Sequence, residues 1–99
     1  MSGDMNRLKM ILTEDDVNRI QELPDRMSVD LHGKTKKEAK RFLNNIINII
    51  RHPFTMEVIH GYNRGTVLKE MIYMEDINPR ITSKNGLWYN MGETILYIN

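Results

Sequence analysis

The chain of 99 residues contains no cysteine, which excludes disulfide bonds and thiolate zinc sites. No apolar run approaches the length of a membrane span, so we expect no membrane partner. The N-terminus lacks a basic segment followed by an apolar block, and we therefore expect no export signal. Repeats, linkers and low-complexity tracts are also missing. Together these absences favour a single folded domain in a reducing, cytoplasmic setting.

An excess of charge of one sign is missing as well, since 14 basic and 13 acidic residues leave a net charge of +1. Such a balance argues against tight non-specific binding to nucleic acid. The charge is unevenly distributed, however, because five bases fall between Lys34 and Arg41. This basic cluster is either a solvated helix face or a surface that attracts a polyanion.

What the sequence does contain is a pair of short apolar segments that each end in His-Gly. They cover residues 29–33 and 59–61, and an amphipathic helix pattern separates them. A strand, a helix and a second strand in that order predict a parallel pair of strands. Both His-Gly ends should then emerge at one carboxyl edge of the sheet, where open α/β sheets bind ligands. Two imidazoles and the Asp30 carboxylate are expected to meet at that edge.

The element order predicted for the whole domain is β-α-β-α-β-β with a mixed four-stranded sheet. Strands are predicted at residues 28–32 and 54–60, and further strands within residues 80–98, where Asn85-Gly86 is predicted to form a type I′ turn. A capping box at residues 35–38 begins the first helix, which buries an apolar stripe and ends before Pro53. Thr66 begins the second helix, with Val67, Leu68, Met71 and Ile72 buried.

Residues 1–26 are interpreted as an N-terminal arm, and residues 27–99 as the domain itself. Within the arm, Thr13 is followed by three carboxylates, which is typical of a helix start. A short helix is predicted from Thr13 to about Glu22, ending before Pro24.

The motifs in this order resemble the Smr (small MutS-related) domain over about residues 28–98. They are Asp-Leu-His-Gly at residues 30–33, the capped helix, His60-Gly61 with Gly65 downstream, and a glycine-containing turn with an apolar strand at residues 90–96. The resemblance implies a two-layer α/β sandwich similar to the C-terminal domain of translation initiation factor 3. It also implies nucleic-acid chemistry, because members have been linked to DNA nicking and to endonucleolytic cutting of RNA on stalled ribosomes.

By the same resemblance, the catalytic residues are Asp30, His32 and His60. RNA carries its own nucleophile in the 2′-hydroxyl group, so a general base and a general acid can suffice to cut it. Imidazoles titrate near neutral pH and suit both tasks. We therefore expect RNA cleavage without a required cofactor, in which His32 and His60 exchange protons and Asp30 orients one of them. DNA cleavage would instead call for a divalent metal ion.

The phosphate backbone is expected to contact the glycine loop, the start of the second helix and the basic cluster. Tyr62 is the favoured residue for base stacking, while Trp88 and Tyr89 either stack on bases or pack within the hairpin. The expected nucleic-acid contacts are Gly33, Lys34, Lys36, Lys37, Gly61, Tyr62, Asn63, Arg64, Gly65, Thr66 and Lys69.

Several functions remain open from the sequence. The first is a nuclease that acts on RNA or nicks DNA, and the second is a non-catalytic module that binds nucleic acid or the ribosome. A third is a binder of small phosphorylated molecules at residues 61–65. Asn63 stands where the family's loop usually has its middle glycine, and this departure keeps the non-catalytic alternative open.

Overall fold

A computed structural model of the chain describes residues 2–61 and 66–99. The elements in chain order are α1 (Ser2–Ile11), α2 (Glu14–Asn18), β1 (Ile20–Glu22), β2 (Met27–Asp30), α3 (Lys36–Ile49), β3 (Phe54–Ile59), α4 (Thr66–Met74), β4 (Ile81–Leu87) and β5 (Asn90–Ile98). The predicted order β-α-β-α-β-β is confirmed from β2 to β5.

The strands form one mixed sheet with the order β1-β2-β3-β5-β4. β2 and β3 are parallel, with Val29 opposite Val58 and Asp30 opposite Ile59. β1 is antiparallel to β2, and β5 is antiparallel to both β3 and β4. The helices and this sheet make an α+β sandwich of two layers, as the sequence predicts.

Alternation of side chains along each strand gives the sheet two different faces. The covered face carries Val29, Val58 and Leu96, which form one buried core with apolar side chains from α1, α3 and α4. The opposite face, which we call the polar face, carries the intervening side chains of β2, β3 and β5. They include Ser28, Asp30, Glu57, Ile59, Glu93 and Ile95.

α3 connects the two parallel strands and is specified by strong local signals. The Thr35 hydroxyl oxygen accepts a hydrogen bond from the Glu38 backbone N–H at 3.1 Å, and the Glu38 carboxylate accepts one from the Thr35 N–H at 2.8 Å. This reciprocal capping box satisfies two N–H groups that the first turn would otherwise leave unpaired. The apolar stripe predicted for this helix lies in the core through Ala39, Phe42, Leu43, Ile46 and Ile47.

The sheet has five strands rather than the four predicted, because the chain after Asn18 leaves the predicted helix and forms β1. Ile20 pairs with Val29 at the edge of β2, and that pairing satisfies backbone groups which a bare edge would leave open. Leu8 and Leu12 of the predicted arm lie in the core. Residues from the first 26 positions therefore contribute both a strand and core side chains.

The hairpin turn differs from the prediction as well. Asn85 and Gly86 lie inside β4, and the turn consists of Trp88 and Tyr89. A Cβ atom on Gly86 would lie 2.9 Å from the Tyr73 hydroxyl group, so this glycine makes room for a side chain of α4. In α4, Leu68, Met71 and Ile72 are buried as predicted, whereas Val67 is exposed.

No helix within residues 2–61 and 66–99 combines the length and apolar character that crossing a membrane requires.

The burial of α1 can be tested by shortening one side chain. Leu8 is fully buried, so Leu8→Ala is expected to lower the free energy of unfolding by about 2–5 kcal/mol in urea denaturation. Met10→Ala is the matched control, because Met10 lies on the same helix and is 86% exposed. Equal stability of the Leu8 variant and the wild type would contradict the docking of α1 on the core.

Candidate functional site

Asp30 and His32 form a hydrogen-bonded pair at the carboxyl end of β2. The Asp30 Oδ2 atom lies 2.6 Å from His32 Nδ1, and Asp30 Oδ1 accepts the His32 backbone N–H at 3.0 Å. An imidazole that donates from Nδ1 to a carboxylate keeps Nε2 available to accept a proton. The His32 side chain is 75% exposed. This pair, which we call the dyad, thus presents an oriented base to solvent.

The glycine of each His-Gly motif has a conformational role. Gly33 has a φ angle of 78° and Gly61 one of 73°, a region that side-chain-bearing residues rarely adopt. Both glycines turn the chain sharply after a strand of the parallel pair. The repeated motif is therefore explained by backbone geometry at both strand ends.

Arg19 supports the dyad and was not predicted from the sequence. Its Nη1 atom donates to the backbone oxygens of Asp30 at 3.1 Å and of His32 at 2.7 Å, while Nε donates to Asp15 at 3.1 Å. The guanidinium group thus fixes the backbone on both sides of Leu31. No motif marks Arg19, because only the pairing of β1 with β2 brings it to the site.

A cleft of about 510 Å³ opens beside the dyad, between the α2–β1 segment and β2. Its volume lies in the range typical of ligand-binding sites. The residues that line it include Asn18, Arg19, Gln21, Asp30, His32 and Ile59. A phosphate group or a nucleotide can therefore approach the exposed His32 ring from the polar face.

His60 lies in a different environment from His32. Its side chain is on the covered face, and the residue is only 2% exposed. Nδ1 lies 2.7 Å from the Gly61 carbonyl oxygen, and Nε2 lies 2.9 Å from the Thr94 hydroxyl oxygen. The carbonyl can only accept, so Nδ1 donates to it and Nε2 accepts from Thr94. Neither ring nitrogen is left for a substrate.

The expectation that His32 and His60 meet is therefore not supported by the structure. The Leu31 backbone N–H donates to the Ile59 carbonyl at 2.8 Å, so the parallel ladder continues past Asp30. In that register His60 is beside Leu31, a core residue, and not beside His32. A shift of one residue exchanges the two faces of a strand. The two His-Gly motifs share an edge but present their imidazoles to opposite faces.

Two hydroxyl groups, one from buried Thr94 and one from the exposed Tyr73, complete the surroundings of His60. The Tyr73 hydroxyl lies 3.2 Å from the Thr94 hydroxyl, which bonds His60. The backbone N–H groups of His60 and Gly61 both donate to the Gly92 carbonyl, at 2.9 and 3.0 Å. Burial lowers the pKa of His60, although the bond to the Gly61 carbonyl opposes that shift. His60 thus stabilises the junction of β3, β5 and α4 as a neutral imidazole.

Much of the basic cluster is occupied by internal ion pairs. Lys34 contacts Asp16 at 2.6 Å, and its side chain is largely buried beneath α2. Lys36 and Lys40 contact Glu75 at 2.6 and 2.9 Å, and hydrogen bonds from these two ammonium groups lower the pKa of Glu75. Three of the five bases thus help to hold elements together.

The remaining expected contacts divide into two groups. Lys37 is exposed at the start of α3, and Thr66 and Lys69 lie in the first half of α4. The predicted contacts in the loop between Gly61 and α4 are outside the described residues. These are Tyr62, Asn63, Arg64 and Gly65.

The third histidine, His52, ties α1 to the start of β3. Its Nε2 atom lies 2.9 Å from the Asp4 carboxylate and its Nδ1 atom 2.9 Å from the Pro53 carbonyl. These two hydrogen bonds raise the pKa of His52, the one to Pro53 contributing most. Among the residues that the structure describes, no group of three or more His, Asp or Glu side chains is arranged to hold a metal ion.

Comparisons of the chain with protein-family models, with curated proteins and with solved structures find no match.

The opposite pKa shifts of His60 and His52 predict opposite effects on stability. A lowered folded-state pKa means that the unfolded chain binds more protons, so His60 destabilises the fold as the pH falls below its ordinary value of 6.5. A raised folded-state pKa means that His52 stabilises the fold below 6.5 and loses this contribution as the pH rises above it.

Urea denaturation between pH 5 and 8 measures both effects. His60→Gln is expected to remove part of the acid sensitivity below pH 6.5, and His52→Gln to remove part of the loss of stability above it. Each variant serves as the other's control. If the free energy of unfolding of His60→Gln falls below pH 6.5 as steeply as that of the wild type, the neutral, buried state of this imidazole is contradicted.

Proposed function

We propose that this protein is an Smr-like nucleic-acid-binding domain that cuts RNA with the Asp30–His32 dyad. The observation that carries the proposal is an exposed imidazole beside a cleft, held by a carboxylate through Nδ1, whose Nε2 has no partner within residues 2–61 and 66–99. Carboxylate–imidazole pairs of this kind orient a general base and stabilise the imidazolium that forms when it accepts a proton.

The reaction needs one well-placed base. His32 Nε2 removes the proton of an RNA 2′-hydroxyl, and the 2′-oxygen attacks the adjacent phosphorus. The bond from phosphorus to the 5′-oxygen then breaks, and the leaving oxygen takes a proton from water at this exposed site. The products are a 2′,3′-cyclic phosphate and a 5′-hydroxyl end. DNA has no 2′-hydroxyl, so this chemistry favours RNA.

Arg19 has a positioning role in this proposal. Its hydrogen bonds to the backbone oxygens of Asp30 and His32 keep the two side chains in a fixed relation. Pre-positioning of a base lowers the entropic cost of reaching the transition state. The Asp15 carboxylate, which also lines the cleft, pairs with this guanidinium group, so Arg19 acts by positioning the dyad and not by adding net positive charge.

The architecture of β2 to β5 supports the Smr resemblance. The order β-α-β-α-β-β and the mixed sheet are what the resemblance implies, and the Asp-Leu-His-Gly and His-Gly motifs lie at one edge of the sheet. RNA on the ribosome is the expected substrate under this proposal, in a cytoplasmic setting that suits a chain without cysteine.

A second function is favoured by one specific observation. Because His60 is buried and both its ring nitrogens are engaged, a single histidine remains for proton transfer. A non-catalytic module that binds RNA, DNA or the ribosome through the same cleft fits this arrangement. Cleavage assays distinguish the two functions, since a binding module retains affinity without cutting.

The test is cleavage of an end-labelled single-stranded RNA in excess chelator, with the same sequence in DNA as a second substrate. His32→Gln is expected to lower the rate of RNA cutting by about 100-fold, which is the lower end of general-base contributions. Asp30→Asn is expected to lose less, because the base is still present but poorly oriented. Binding of a 2′-O-methyl RNA, which cannot be cut, should persist in both variants.

His52→Gln is the matched control, since His52 is also an exposed imidazole bonded to a carboxylate but lies at the far side of the fold. It should cut at the wild-type rate. Wild-type cutting by His32→Gln would refute the role of the dyad, and cutting only after magnesium is added would refute the metal-free reaction. Wild-type protein that binds RNA but never cuts it would support the non-catalytic module.

A further inference from the structure

The turn between β4 and β5 displays two aromatic side chains to solvent. Trp88 is 90% exposed and Tyr89 is 70% exposed, although both are large and apolar. Their ring centroids are 5.6 Å apart with an angle of 87° between the planes, so the edge of one ring faces the other. This T-shaped contact leaves ring surface of both residues available to a ligand.

The sequence of this turn conflicts with local preference. Two-residue hairpin turns favour glycine, asparagine and aspartate, and the Asn85-Gly86 pair offers such a dipeptide close by. The chain places that pair inside β4 and bends at Trp88-Tyr89 instead. Conflicts between local preference and the fold concentrate at functional positions.

The turn is held in place by its neighbours. Leu87 pairs with Asn90 across the hairpin, and the Asn90 side-chain oxygen accepts the Gly92 N–H at 3.0 Å. The two aromatic residues are thus carried on a short connection, next to a shift in register between Gly86 and Leu87. A short connection reduces the backbone freedom that these residues lose when they bind a ligand.

The aromatic turn lies at the same edge of the sheet as the dyad. The Gly92 carbonyl accepts hydrogen bonds from the N–H groups of His60 and Gly61, which joins the start of β5 to the carboxyl end of β3. β2, which ends at Asp30, is the next strand in the sheet. Two to three strand spacings, roughly 10–15 Å, separate the dyad from the hairpin tip across the sheet. Because Glu93 is level with Asp30, the hairpin tip also projects about four residues, roughly 13 Å, beyond the dyad along the strand direction.

We propose that Trp88 and Tyr89 form a stacking platform for unpaired bases of a single-stranded RNA whose backbone crosses the carboxyl edge of the sheet to the dyad. The choice of RNA as ligand rests on the proposed function. Stacking on aromatic rings is a common way to hold single strands, and it tolerates any base because every base has a flat face.

The surroundings favour bases over a lipid surface. Lipid-binding segments combine a broad apolar surface with basic side chains. Among residues 2–61 and 66–99, the large apolar side chains exposed at the tip are Trp88, Tyr89 and Met91, and the adjoining strands carry the amides of Asn85 and Asn90. Flat rings flanked by hydrogen-bonding amides match nucleobases, which combine a stacking face with polar edges.

Trp88 is the only tryptophan of the chain, so its fluorescence reports on the platform directly. Titration of the full chain with a short 2′-O-methyl single strand is expected to quench this fluorescence. A duplex of the same sequence should quench it much less, because its bases are already stacked. Anionic phospholipid vesicles should leave the spectrum unchanged. A blue shift with vesicles and no quenching by the single strand would refute the proposal.

Substitutions separate stacking from simple apolar contact. Trp88→Leu is expected to weaken single-strand binding about 5- to 100-fold, measured by anisotropy of a labelled strand, while Trp88→Phe should retain most of it. The salt dependence should not change, because no phosphate contact is lost. Wild-type affinity of Trp88→Leu would overturn the platform.

Tyr97→Ala is the matched control, since Tyr97 is an exposed aromatic residue of the same hairpin but lies near the other end of β5. It should bind as the wild type does. The two proposals fail separately: quenching without cutting would leave the platform in place and refute the nuclease. The opposite result is cutting that requires His32, is unchanged by Trp88→Leu and occurs without quenching. That result would support the nuclease and refute the platform.

Discussion

The register of the parallel pair β2 and β3 determines the rest of this site. With Asp30 opposite Ile59, the Leu31 backbone N–H reaches the Ile59 carbonyl, and the chain then turns at a glycine on each strand. Because side chains alternate, this single register sends Asp30 and His32 to the polar face and His60 to the core. One imidazole becomes an exposed base and the other a buried structural group, although each belongs to a copy of the same His-Gly motif.

The two histidines also show how environment divides one residue type into two roles. His32 has one ring nitrogen on a carboxylate and the other without a partner in the described part of the chain, which suits proton transfer. His60 has both nitrogens bonded within a chain that runs from the Gly61 carbonyl through Thr94 to Tyr73. A buried polar network of this kind is stable only while each member keeps its partner. His60 thus preserves the sheet edge on which the dyad stands.

Strong local signals made the central part of the fold predictable. The capping box at Thr35 and the apolar stripe of α3 lie within contiguous sequence, and so does the strand-helix-strand order that implies a parallel pair. The Asp30–His32 contact follows from the same reasoning, since residues two apart on a strand share a face. The face occupied by His60 could not be predicted, because it depends on a register between strands that are far apart in sequence.

Other parts required tertiary information. β1 has three residues and gains its stability from pairing with β2, so the sequence pattern there suggested a continued helix. Arg19 reaches the dyad only through that pairing. Gly86 resembles a turn residue but makes room for the Tyr73 hydroxyl, and the turn passes to Trp88-Tyr89. In each case packing between distant segments overrides a local preference.

The central claim is that the functional surface contains His32 and not His60. Histidine side-chain NMR, recorded while a non-cleavable 2′-O-methyl single strand is added, measures this most directly. We expect the ring signals of His32 to shift in a saturable way while those of His60 and His52 stay unchanged. Shifts at the His60 ring with an unaffected His32 would contradict the account.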